Sequence, residues 1–351
     1  MDQDTAIPKF VVDLSQPPET RHAHIIPHLR EPMIACNLPS LFDEVTELVA
    51  GPFFGKALVA LTRLALRRVH SAEETAELAG ISQALNIPMH VLVAFNVLLD
   101  LLLGCTSGGV RVLDSDTIGP TTRILHFRTL DWAMHRLRQI IVELDYVRVT
   151  GGPVIATTVT YFGYVGVLTG VRKGLSVSLN FRPYHARDTA AQRLSFRWHQ
   201  AMVVLGFRQS ISSSLRNVLL DPPPTSSDPS KDSQDIGPLG LEGDDVSDQY
   251  VKKVLERLSA SNSTSAYLIF CQPETVYIME KDHRSATVRQ SDTFLTACNH
   301  DAKDEEDPSQ LQQVAGALAE GGDATGMGDI VGMSASSNSC AIAQIKTLMS
   351  E

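Results

Sequence analysis

The sequence predicts a layered α+β fold. Three observations carry this. The first hundred residues repeat apolar positions at helical spacing, the texture turns to β-branched and aromatic runs after Cys105, and no regular strand–helix alternation follows. This order argues against a doubly wound parallel sheet, and 351 residues with 43% hydrophobic content suffice for a sizeable core.

The elements follow in order. "LFDEVTELVAG" and "FFGKALVALTRLALRRVH" read as amphipathic helices. "SAEETAELAGISQAL" opens with Ser71 and, three residues on, Glu74, a capping-box signature. Pro88 starts the next helix, which ends at Gly104. "IPMHVLVAFNVLLDLLLG" is apolar, but it contains Pro88, His90, Asn96 and Asp100. A membrane span needs about 20 residues with few polar interruptions. A buried helix is the better reading. "TSGGVRVL", "RILHFRTLDW", "IIVELDYVRVT" and "VIATTVTYFGYVGVLTG" then read as strands separated by turn formers.

"LSVSLNFR" alternates. Leu175, Val177, Leu179 and Phe181 fall on one face; Ser176, Ser178, Asn180 and Arg182 fall on the other. Residues 194–220 return to a helical pattern, and 221–246 form a Pro/Ser/Gly/Asp-rich loop. "SDQYVKKVLERLSA" is a helix, "AYLIFC" and "TVYIME" a strand pair, and "SDTFLTAC" a last strand. The tail 301–351 is irregular.

Composition narrows the function. A net charge of −10 and a pI near 5.6 argue against a nucleic-acid binder. Cys36, Cys105, Cys271, Cys298 and Cys340 are widely spaced without a CxxC pair, which argues against a zinc ribbon or a dense disulfide framework. His22, His24 and His28 lack a carboxylate or cysteine at ligand spacing. "GGVRV" and "TGGP" lack the GK[ST] of a phosphate loop. No metal or cofactor is called for. Arg63, Arg67 and Arg68 suit a solvated helix face better than a membrane surface, although contact with anionic headgroups is a second reading.

Three segments matter together: "GCTS" at 104–107, "HFRTLDW" at 126–132 and "ACNHD" at 297–301. Their order, with "YFGYVGVLTGVRKGLSVSLNFR" at 161–182 and the helix before Cys105, resembles the acid ceramidase and N-acylethanolamine acid amidase family. That family belongs to the N-terminal nucleophile hydrolases related to bile-salt hydrolases. The resemblance runs from about Val11 to about Asp301.

It implies an αββα sandwich of two antiparallel sheets between helical layers. It also implies self-cleavage between Gly104 and Cys105, giving a helical chain 1–104 and a nucleophile chain 105–351 that stay associated. Cys105 would attack the amide carbonyl, with its own α-amine shuttling the proton. Asp131 would hold that amine, Arg128 would lower the thiol pKa, and Asn299 would donate to the oxyanion. Asn180 matches an asparagine of the central motif, with ordinary sheet-edge hydrogen bonding as the equal alternative.

The chemistry is self-consistent: an α-amine has a pKa near 7.7–8.0 and a thiol one near 8.5, so one residue carries nucleophile and base together. Two positions depart from the family. Phe181 replaces an acidic residue, and no arginine follows Arg289.

The function implied is hydrolysis of a fatty-acyl amide, either ceramide or an N-acylethanolamine. A catalytically impaired lipid-binding relative, and an amidase for bile-salt-like or penicillin-like amides, are the other readings. The first residues carry no basic n-region or apolar h-region, which favours an intracellular protein. The resemblance implies a lysosomal or vacuolar one.

Overall fold

A computed structural model describes residues 6–44, 61–102, 105–114, 121–130, 135–182, 189–221 and 246–302. The described helices are α1 (Ile26–Cys36), α2 (Ala72–Leu85), α3 (Met89–Leu102), α4 (Ala190–Val204), α5 (Ile211–Leu220) and α6 (Asp248–Ala260). The strands are β1 (Lys9–Asp13), β2 (Cys105–Asp114), β3 (Thr121–Leu130), β4 (Ile141–Val147), β5 (Val154–Tyr161), β6 (Thr169–Arg172), β7 (Leu175–Phe181), β8 (Ala266–Cys271), β9 (Val276–Lys281), β10 (Ala286–Ser291) and β11 (Phe294–Ala297).

Eight strands form one sheet in the order β1-β4-β5-β6-β7-β8-β9-β10, and three form a second in the order β11-β2-β3. Alternation along each strand explains the layering. Leu175, Val177 and Leu179 of β7, with Leu268 and Phe270 of β8, face the helices in the main core. Tyr267, Ile269 and Cys271 of β8 face the other way and pack with Ile124 and Ala297 of the small sheet. The described elements therefore stack as helices, large sheet, small sheet. A helical layer on the far side of the small sheet is not among them.

Several expectations need correction. The large sheet is mixed rather than antiparallel, because β1 pairs parallel with β4, Lys9 opposite Glu143. The segment before Cys105 is accordingly not all helical. β1 is a five-residue edge strand, too short to show alternation beside the helical pattern around it. "VIATTVTYFGYVGVLTG" is two strands, since the chain turns after Tyr161 and Gly163 takes φ +90°. Residues 194–220 hold two helices, with Gly206 at φ +71° between them. β10 went unread because its sequence, "ATVRQS", is half polar.

Ser71 caps α2 by accepting from the Glu74 amide at 3.3 Å, but the Glu74 carboxylate does not close the box. It accepts a 2.7 Å hydrogen bond from Ser213 instead. Residues Val91 to Val97 of α3 are buried, and no described helix is long and apolar enough to cross a membrane. Residues 45–60, the loop 222–245 and the tail from 303 lie outside the described residues.

Candidate active site

The polar face of β7 forms the floor of the candidate site. Each of its side chains is taken up by the small sheet or by the segment that continues from it. The His126 ring nitrogens lie 2.8 Å from Ser176 Oγ and 2.9 Å from Ser178 Oγ. Ser107 Oγ donates to Asn180 Oδ1 at 2.7 Å, and Asn180 Nδ2 donates to the Ala297 carbonyl at 3.0 Å. Arg182 donates twice to Asp301, through Nε to Oδ1 and Nη2 to Oδ2, both at 2.7 Å. Tyr267 Oη also donates to Asp301, at 2.8 Å.

Cys105 heads β2, opposite Leu130, and Ser107 pairs with Arg128. The glycines that follow allow close approach. A Cβ at Gly108 would stand 2.3 Å from the Leu295 carbonyl oxygen, and one at Gly109 would stand 2.9 Å from Val276 of the opposite sheet. "TSGG" thus lets β2 lie close to both β11 and the large sheet.

Arg128 spans the seam. Its Nη1 donates to Thr169 Oγ1 at 2.6 Å and its Nη2 to the Leu179 carbonyl at 3.0 Å. Asn299 is buried just past β11, where its Nδ2 donates to the Phe181 carbonyl at 2.7 Å. Arg128, Asn180 and Asn299 thus meet one short stretch of β7, residues 179–181. Asn180 is not a sheet-edge residue: β7 lies between β6 and β8, and its side chain ties the two sheets together. Asp131 and Gly104 lie outside the described residues, as does the Cys105 side chain.

Sequence reading missed four participants: Ser107, His126, Arg182 and Asp301. Ser107 and His126 stand inside the quoted segments "GCTS" and "HFRTLDW", and the alternation of β7 marks the polar face that they meet without naming its partners. Burial, reinforced by the nearby Arg128 charge, pushes the His126 imidazole down to about 4. The Arg182–Asp301 pair left no signal in spacing, because its members are 119 positions apart. Among the described residues, no group of three His, Cys, Asp or Glu side chains could hold a metal ion.

The model for the beta subunit of N-acylethanolamine-hydrolyzing acid amidase matches residues 5–70, wholly before Cys105. An N-acylethanolamine-hydrolyzing acid amidase of Caenorhabditis elegans is 30% identical over 185 residues, covering 49% of this chain and 47% of that protein. Rattus norvegicus acid ceramidase is 25% identical over 193 residues, 50% of this chain and 46% of that one. The chain is related to the acid ceramidases and N-acylethanolamine acid amidases.

It spans just under half the length of these two relatives. Bos taurus acid ceramidase is 31% identical over 121 residues, 30% of this chain and 28% of that one. Among solved structures, a Caenorhabditis elegans N-acylethanolamine-hydrolyzing acid amidase ortholog is 21% identical, covers 60% of this chain and 76% of that chain, and has a TM-score of 0.39.

Proposed function

We propose that the chain is the precursor of a cysteine amidase that hydrolyses a fatty-acyl amide, either ceramide or an N-acylethanolamine. The Cys105 thiol attacks the Gly104 carbonyl, the acyl group passes from nitrogen to sulfur and frees the α-amine, and water then hydrolyses this thioester, releasing the Gly104 carboxylate and restoring the thiol. The thiol then attacks the substrate carbonyl, the α-amine takes its proton, and the amine product leaves as a thioester forms. Water attacks the thioester and releases the fatty acid. Arg128 favours the thiolate by its positive charge. Asp131 holds the α-amine. Asn299 faces the oxyanion, a contact often worth about 10²–10³ in rate.

The observation that carries this reading is the gathering of Arg128, Asn180 and Asn299 on residues 179–181 of β7, beneath the strand that Cys105 begins. The two pieces remain together after the cut. β1 stays paired with β4 in the large sheet. Asn96 of α3 also accepts from the Val165 amide at 2.8 Å and donates to the Gly163 carbonyl at 2.8 Å.

Incubation at mildly acidic pH tests the proposal. Two bands cut before residue 105 on a denaturing gel, with fatty acid released from ceramide or from an N-acylethanolamine, are expected. A specific observation favours the second reading, an inactive lipid binder: Phe181 is buried at the position where the resemblance implies an acidic residue. A single uncut band, with lipid bound and no fatty acid released, would establish it.

A further inference from the structure

We infer that His126 is a positioning residue for the Cys105 site: by joining β3 to β7 it holds the Arg128 guanidinium in place opposite Ser107. The inference rests on the reading of Cys105 as the nucleophile. His126 and Arg128 are two residues apart on β3 and share its inner face. Both reach across the seam to β7. His126 holds Ser176 and Ser178, and Arg128 holds the Leu179 carbonyl next door. Ser178 is fully buried, so its hydroxyl depends on protein partners.

A neutral imidazole suits this span. One ring nitrogen carries a proton and donates to one serine, while the other accepts from the second serine. The ring stays neutral at pH 5 to 8, because burial and the neighbouring Arg128 oppose a second charge. The opposite residue in register is Gly109, where a Cβ would stand 2.9 Å from Val276 of the large sheet. Loss of the imidazole opens the seam beside Arg128 and frees the guanidinium to leave Thr169 and Leu179.

The test measures iodoacetamide alkylation of Cys105 against pH in the full chain. Peptide mass spectrometry separates Cys105 from the buried Cys36, Cys271 and Cys298. The wild-type thiol is expected to ionise below the free value near 8.5. His126→Ala and the double variant Ser176→Ala/Ser178→Ala raise that midpoint by about one unit, and kcat falls on the order of tenfold with KM little changed. His126→Gln, which keeps a donor and an acceptor, recovers part of both.

A low wild-type midpoint that neither His126→Ala nor the double serine variant moves would overturn the inference while leaving Cys105 as the nucleophile. A wild-type midpoint at the free value, with no fatty acid released, would overturn the nucleophile reading itself. If His126→Ala fails to fold, the double serine variant decides.

Discussion

Ser107 and Asn180 are joined by a 2.7 Å hydrogen bond that crosses from the small sheet to the large one. Both residues are fully buried, and the Asn180 amide end is occupied by the Ala297 carbonyl of β11. A single carboxamide therefore ties β2, β7 and β11 together at the candidate site. Ser107→Ala removes the donor and leaves the Asn180 oxygen without it in a region closed to water. The expected loss is about 1–3 kcal/mol, the range for a buried polar group deprived of its partner. Urea unfolding measures it. An unchanged midpoint would mean that Asn180 finds another donor.

That bond also shows how far sequence reading reaches. The alternation of "LSVSLNFR" marks Asn180 and its neighbours as one polar face, and composition marks Cys105 as the start of strand texture. Neither says what the polar face meets. It meets a second sheet, so a face that reads as polar is buried on both counts. Pairing across the seam joins residues far apart in sequence, Ser107 with Asn180 at 73 positions and Arg182 with Asp301 at 119, and local periodicity carries no trace of it. β1 escaped for a different reason. Its five residues gain their strand character from β4, more than a hundred positions away.

The segment before Cys105 is fastened by a buried ionic network. Arg216 of α5 donates to both Glu77 oxygens at 2.7 Å, and Arg21 adds a third bond at 2.8 Å. Burial works against the Glu77 charge, yet the Arg216 guanidinium holds its carboxyl well below the usual range. Glu77→Ala takes the carboxylate from the buried Arg216, while Arg21 keeps Glu73. The expected cost is about 3–5 kcal/mol, as for other buried pairs broken on one side. In cleaved protein the two pieces should then separate at lower urea than wild type, as read by size-exclusion chromatography. Separation at the same urea concentration would show that β1 and Asn96 hold the pieces without the network.

His126 sets a pH dependence of stability. Its folded pKa is about 4, below the unfolded value near 6.5. The unfolded chain therefore takes up a proton first as pH falls. The contribution is fully present above pH 6.5, declines through the interval, and is gone below about 4. Over that window it amounts to about 3 kcal/mol. His126→Gln should flatten the fall in stability between pH 6.5 and 4 by about that amount, measured by urea titration at each pH. An identical slope in the variant would place the proton uptake at other histidines.

Cys105 carries the sharpest prediction. Cys105→Ala should abolish both self-cleavage and amide hydrolysis, because the thiol is needed first against the Gly104 carbonyl and then against the substrate. Alanine keeps a small apolar group at the head of β2, so the loss reports chemistry rather than unfolding. Cys36→Ala, Cys271→Ala, Cys298→Ala and Cys340→Ala should leave cleavage largely intact. Burial pushes the Cys36 thiol up to about 11 and the Cys271 thiol up to about 12, which makes both poor nucleophiles. Cys105→Ser separates the two steps. Its hydroxyl is far less acidic than a thiol near 8.5, so cleavage should slow and turnover should fall more steeply. Mass spectrometry of the cut site and fatty-acid release give the two readouts. Cys105→Ala protein that still appears as two chains cut before residue 105 would rule out self-processing by this thiol.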